Sequence, residues 1–60
     1  MSLQEVLSRL GAAGIHDVEE IEREGDKYDV RAIDSQGRRV ELYVDPVTGE
    51  ILKTEIKGRK

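Results

Sequence analysis

Few side chains in this sequence are equipped for chemistry. His16 is the only histidine, and cysteine is absent. His16 followed by Asp17 has the residue types of a general base and its orienting carboxylate. That chemistry needs several groups converging on one reacting atom, and no such set surrounds the pair. His16 therefore reads as a solvated histidine in a loop just after a helix. One histidine without cysteine makes no transition-metal ligand set. The acidic residues Asp17, Glu19, Glu20, Glu22, Glu24 and Asp26 would suit calcium if their oxygens met at a point. On a strand, alternate side chains leave on opposite faces, so this run reads instead as a charged edge that resists aggregation. Ser2, Ser8 and Ser35 have no base placed to activate them, and the glycines fall at turns rather than in a phosphate loop. The expectation is a protein that is not an enzyme, with no catalytic residue, metal site or cofactor.

Charge narrows the partners further. Lys53, Lys57, Arg59 and Lys60 form a basic tail, expected to fray, but no aromatic residues are interleaved with it for base stacking. The net charge is −3, a poor footprint for nucleic acid. No apolar run approaches the roughly 20 residues of a membrane span, so no membrane insertion is expected. The N-terminus also lacks the basic and apolar regions of a signal peptide.

The elements that must position these residues can be read from periodicity. Leu3, Val6, Leu7 and Leu10 make one apolar stripe at helical spacing. Ser2 with Glu5 supplies a capping box, and Gly14 suits the left-handed residue that ends a helix. A helix is expected over about 2–13. Residues 15–24 carry both signals: Ile15, Val18 and Ile21 recur every third residue, yet a strand over about 17–24 agrees better with the strands downstream. There, Tyr28, Val30 and Ala32 alternate, as do Val40, Leu42 and Val44. A three-residue loop with Gly37 in the left-handed position pairs Ala32 with Val40, Val30 with Leu42 and Tyr28 with Val44. A glycine-first turn at Gly25-Asp26 then places Ile21 opposite Val30 and Glu20 opposite Arg31. It leaves one flaw, Glu22 opposite Asp29. The last turn is Asp45-Pro46-Val47-Thr48-Gly49. The strand after it has two readings. In one, Ile51 faces Val44 and Lys53 points inward; in the other, a bulge at Gly49 brings Leu52, Thr54 and Ile56 to the core and buries more apolar surface.

The fold class expected is α+β: one amphipathic helix on a four-stranded antiparallel meander, strands at about 17–24, 27–34, 38–45 and 50–57. Residues 1–60 would form a single domain. At 60 residues a chain buries only about 60% of the surface it exposes when unfolded, so its core is narrow. That core is Leu3, Val6, Leu7, Leu10, Ile21, Tyr28, Val30, Ala32, Val40, Leu42, Val44 and part of the last strand.

The same pairing defines an outer sheet face. It carries a Glu20–Arg31–Glu41 row of alternating charge, together with Tyr43, Ile33 and Val18. Val18 is expected opposite Ile33, forming a small apolar spot. Val18, Arg31, Ile33, Glu41 and Tyr43 are the candidate protein-contact residues. The first strand is an acidic edge and the last a more basic one, so the edges offer a second route, by strand addition. The chain would be a monomer or an edge-strand homodimer.

From Tyr28 to Leu52 the sequence resembles a PepSY domain. The matching elements are Tyr28-x-Val30-x-Ala32, Gly37, Val40-Glu41-Leu42-Tyr43-Val44-Asp45 and Thr48-Gly49-Glu50-Ile51-Leu52. The helix and the segment from Gly14 to Glu24 are similar to the short, propeptide-type variant. The resemblance implies an extracytoplasmic, periplasmic location and a non-enzymatic module that contacts a protein, either a peptidase or another envelope protein. Such modules occur in propeptides of thermolysin-like metallopeptidases, with a regulatory or inhibitory role and no catalytic residues. The alternative is a stand-alone or engineered miniature domain with no dedicated partner.

Overall fold

The computed structural model describes residues 2–59. The helix α1 spans Leu3–Ala12. It is followed by β1 (Ile15–Glu24), β2 (Lys27–Asp34), β3 (Arg38–Val44) and β4 (Ile51–Arg59). The four strands form one antiparallel sheet in the order β1-β2-β3-β4, so the α+β meander expected from the sequence is the fold observed.

Local chemistry explains each boundary. Ser2 Oγ accepts from the Glu5 amide at 3.2 Å, and the Glu5 carboxylate accepts from the Ser2 amide at 3.2 Å. This reciprocal cap holds Glu5 below the usual carboxylate range, first through its bond to the Ser2 backbone. The helix stops at Gly14, whose φ of +89° is a left-handed conformation that a side chain would strain. The Gly14 carbonyl then accepts from the Ser35 amide at 2.9 Å. That bond starts sheet pairing at once, so β1 begins at Ile15 rather than near Asp17, and His16 lies in the strand rather than in a loop. Gly25 has φ +57° while no other residue type takes positive φ among the described residues. The β1–β2 turn therefore has the glycine-first geometry that suits right-handed strand twist.

The β2–β3 turn is tied by one carboxylate. Asp34 accepts from the Gln36 and Arg38 amides, both at 2.9 Å, and from Arg38 Nε at 2.8 Å. These bonds hold the Asp34 carboxyl below its ordinary range, the Arg38 amide most of all. The expected register results: Tyr28 faces Val44, Val30 faces Leu42 and Ala32 faces Val40. In the β3–β4 turn, Asp45 accepts from the Val47 amide at 2.8 Å and the Thr48 amide at 3.2 Å.

The core lies between α1 and the sheet face formed by Val30, Ala32, Val40, Leu42 and Val44, with Val6, Leu10 and Ile15. Val18, Ile21 and Tyr28 pack against it and are half-buried. Leu3 and Leu7, expected inside, remain 44% and 38% exposed. Val6 and Leu10 share the middle of the contacting side of the helix, whereas Leu7 lies at its flank and Leu3 in the first turn. The sheet has uncovered apolar residues of its own, and there the reason is width. A helix about 10 Å across covers roughly two strands spaced about 4.8 Å apart, and this sheet has four. The helix side of β4 is therefore left open. Ile51, Leu52 and Ile56 are 39%, 54% and 57% exposed.

The register of β4 combines the two readings of its sequence. Ile51 faces Val44, as in the first; Thr54 faces Leu42 and Ile56 faces Val40, as in the second, and Lys53 pairs with Tyr43 on the outer side. The extra residue is Leu52, so the bulge falls there rather than at Gly49. Lys57 through Arg59 continue β4 instead of fraying; Lys60 lies outside the described residues.

Candidate protein-contact face

Strand alternation puts Asp29, Arg31 and Ile33 of β2 and Glu41 and Tyr43 of β3 on the face turned away from α1. At its centre Glu20, Arg31, Glu41 and Glu55 stand side by side across all four strands. Arg31 meets Glu20 at 3.5 Å and Glu41 at 3.6 Å. Lys57 closes the row, 3.5 Å from Glu41 and 3.6 Å from Glu55. It thereby relieves the like-charge pair of Glu41 and Glu55. The charge of Glu20, then that of Glu41, raises the Arg31 pKa further. Glu55 and then Glu41 do the same for Lys57. Arg31 stays accessible, with its side chain 62% exposed, so these pairs orient it more than they stabilise the fold.

Beside the row, Lys27 Nζ sits over the Tyr43 ring, 4.9 Å from its centroid. This is within range of a cation–π contact. The charge of Glu41, followed by burial, raises the Tyr43 pKa, so its hydroxyl stays protonated. Asp29 pairs with Glu22 on one side and Tyr43 on the other. Its residue exposure is 8%, and its Oδ1 has no hydrogen-bond partner. Burial first, then the neighbouring Glu41 carboxylate, push the Asp29 carboxyl up to about 6. Glu41 moves the opposite way: the neighbouring Asp29 carboxyl lowers it most, with burial opposing and Lys57 assisting. The two carboxyls therefore titrate as a pair rather than independently.

Two of the expected contact residues are placed differently from their sequence reading. Val18 does not face Ile33. The extra residues His16 and Glu19 shift the β1 register twice, so Asp17 faces Ile33 and Val18 faces Ala32. Each bulge reverses the alternation, and Val18 turns to the core side. Ile33 does lie on the outer face but is only 4% exposed; it is a floor rather than an exposed spot. Arg31, Glu41 and Tyr43 are brought together as their alternation implies. Sequence reasoning passed over Asp29 as a functional group, although its parity with Arg31 and its pairing with Tyr43 were readable. The position of Lys57 was hidden by the bulges of β4. His16 is exposed, and among the described residues no three His, Cys, Asp or Glu side chains form a metal-holding group.

A capped helix on a four-stranded meander, with a charged and aromatic outer face, defines a small α+β domain whose distinctive chemistry is on its surface. The chain belongs to the PepSY family, described as peptidase propeptide and YPEB domain, whose family model matches residues 1–55. Comparison with curated proteins returned no match, and comparison with solved structures returned none. Among the described residues no helix is long and apolar enough to cross a membrane.

Proposed function

We propose that this chain is a non-enzymatic, extracytoplasmic interaction module that binds a peptidase and regulates it through the outer sheet face. Family membership supports the class of partner. The observation that carries the choice of surface is Arg31. Its guanidinium is held between two carboxylates at the middle of the sheet, yet most of the side chain remains open to solvent. Tyr43 lies on the next strand, with its ring already fixed by Lys27. Arginine and tyrosine are the residue types that most often dominate binding energy, and a pre-ordered side chain loses less entropy on contact. Glu41 contributes by orienting Arg31, and Ile33 by giving the face a rigid floor. Val18, turned to the other side, contributes only to packing.

The direct test is calorimetric titration of a mature thermolysin-type metallopeptidase with the wild-type chain and with Arg31→Glu. The proposal expects binding by the wild type and a loss of roughly tenfold or more in affinity, about 1.4 kcal/mol, for the variant. The substitution sets a third carboxylate between those of Glu20 and Glu41 and lowers stability, so a thermal melt must first show the variant folded. Arg31→Gln, which removes the charge without adding a like one, is the second variant and should also bind more weakly. Equal affinity of the wild type and the folded variants would overturn the assignment of this face.

A further inference from the structure

The two free edges of the sheet differ in kind. β1 carries Asp17, Glu19, Glu20, Glu22 and Glu24 and has two register shifts. It is bent and acidic, so two such edges repel one another. β4 has its own shifts near Leu52 and Lys57, with a regular run from Lys53 to Ile56 between them. Along this run the charges alternate in sign. Lys53 and Glu55 face the outer side, while Thr54 and Ile56 face the helix side with Leu42 and Val40.

We propose that the β4 edge is a self-recognition surface and that its partner is a second copy of this chain, paired antiparallel about a two-fold axis at Thr54. Residues opposite each other across such an axis must share a face, so only registers that slip by whole alternations are allowed. With the axis at Thr54, Thr54 meets its own copy. Lys53 meets Glu55 twice on the outer face, and Leu52, the bulged residue just before the regular run, comes level with Ile56 twice. Each of these is a favourable cross-strand pair. The two neighbouring registers fail: an axis at Lys53 opposes two lysines, and an axis at Glu55 opposes two glutamates and sets Lys53 against Lys57. Leu52 and Ile56, 54% and 57% exposed in the single chain, are then joined into one apolar stripe on the side that α1 leaves open. Growth stops at two copies, since pairing consumes both β4 edges and leaves an acidic β1 at each end. This inference is independent of the peptidase reading, which uses the outer face rather than the β4 edge.

Sedimentation equilibrium up to about 1 mM protein, a range that detects even weak pairing, tests it with three proteins. The wild type should be a dimer. Lys53→Glu and Glu55→Lys should each dimerise roughly tenfold or more weakly, since both outer pairs become like-charged. An equimolar mixture of the two variants should recover a dimer, because each then supplies the charge the other lacks. A wild type that stays monomeric throughout, or variants that self-associate as well as it does, would overturn the proposal. A second readout does not depend on charge. The chain has no cysteine, so Thr54→Cys places a thiol directly across the axis, at a separation that suits a disulfide. Mild oxidation should give far more covalent dimer from Thr54→Cys than from a Gln4→Cys control. Equal yields would contradict the register.

Discussion

Asp29 shows how much a single side chain can say. It sits where alternation puts it, opposite Glu22 on one strand and Tyr43 on the other, with one oxygen buried and unpartnered. Because its carboxyl is raised from 3.8 to about 6, the folded state holds this proton more tightly than the unfolded chain does. Its contribution to stability is therefore greatest below about pH 4, falls as pH rises to about 6, and is flat above that. Replacing Asp29 with Asn removes the charge but keeps the shape. Thermal melts should show Asp29→Asn more stable than wild type at pH 7, by something on the order of 1 kcal/mol, with the gain much reduced at pH 4. Equal stability of the two proteins at pH 7 would refute the placement of Asp29. The like-charge conflict with Glu22 was readable from the sequence, because the turn at Gly25 fixes that register. The opposite shifts of Asp29 and Glu41 were not, because they depend on how deeply the two groups are buried.

At the scale of elements, turn chemistry was the most legible feature. Asp34, Gly37, Asp45 and Gly25 each hold the position their types imply, and with them the registers of β2 with β3 and of the later half of β1 with β2. Bulges were the least legible. His16, Glu19, Leu52 and Lys57 are not types that demand an unpaired position, so nothing local marks them. They are forced where paired strands must satisfy both a core face and a twisting sheet. The consequence reached the candidate site: Val18 moved to the core side, while Arg31, Glu41 and Tyr43, on strands without an intervening bulge, stayed together. Gly14 is a point where conformation rather than space is limiting. A Cβ there would meet only Ser35 Oγ, at an ordinary 3.5 Å, but φ is +89°. Gly14→Ala should cost about 1–2 kcal/mol by denaturant unfolding, whereas Gly11→Ala, with an open surrounding and helical backbone, should stabilise by about 0.5–1 kcal/mol.

For the whole molecule, the mismatch between one helix and four strands organises the surface. Val6 and Leu10 are fully covered, while Leu7, on the same apolar stripe, is 38% exposed. Leu10→Ala should therefore lose about 2–5 kcal/mol, enough to unfold much of so small a domain, and Leu7→Ala a good deal less. Helical spacing in the sequence marks both leucines as inward, but Leu7 lies at the flank of the stripe, away from the side that Val6 and Leu10 share. The same mismatch leaves the helix side of β4 uncovered, and the single layer of helix leaves the outer face open; these are the two surfaces for which a peptidase and a second copy of the chain are proposed as partners.

The most direct measurement of peptidase binding through the outer face is an NMR titration of the isotope-labelled chain with an inactivated thermolysin-type peptidase, following amide signals and the Arg31 side-chain Nε–H. The largest shifts should fall on Arg31 and on the outer-face residues around it, Glu41 and Tyr43, while signals of α1 change little. Shifts confined to β4 or to the helix, or no shifts with the peptidase in excess, would contradict binding through this face.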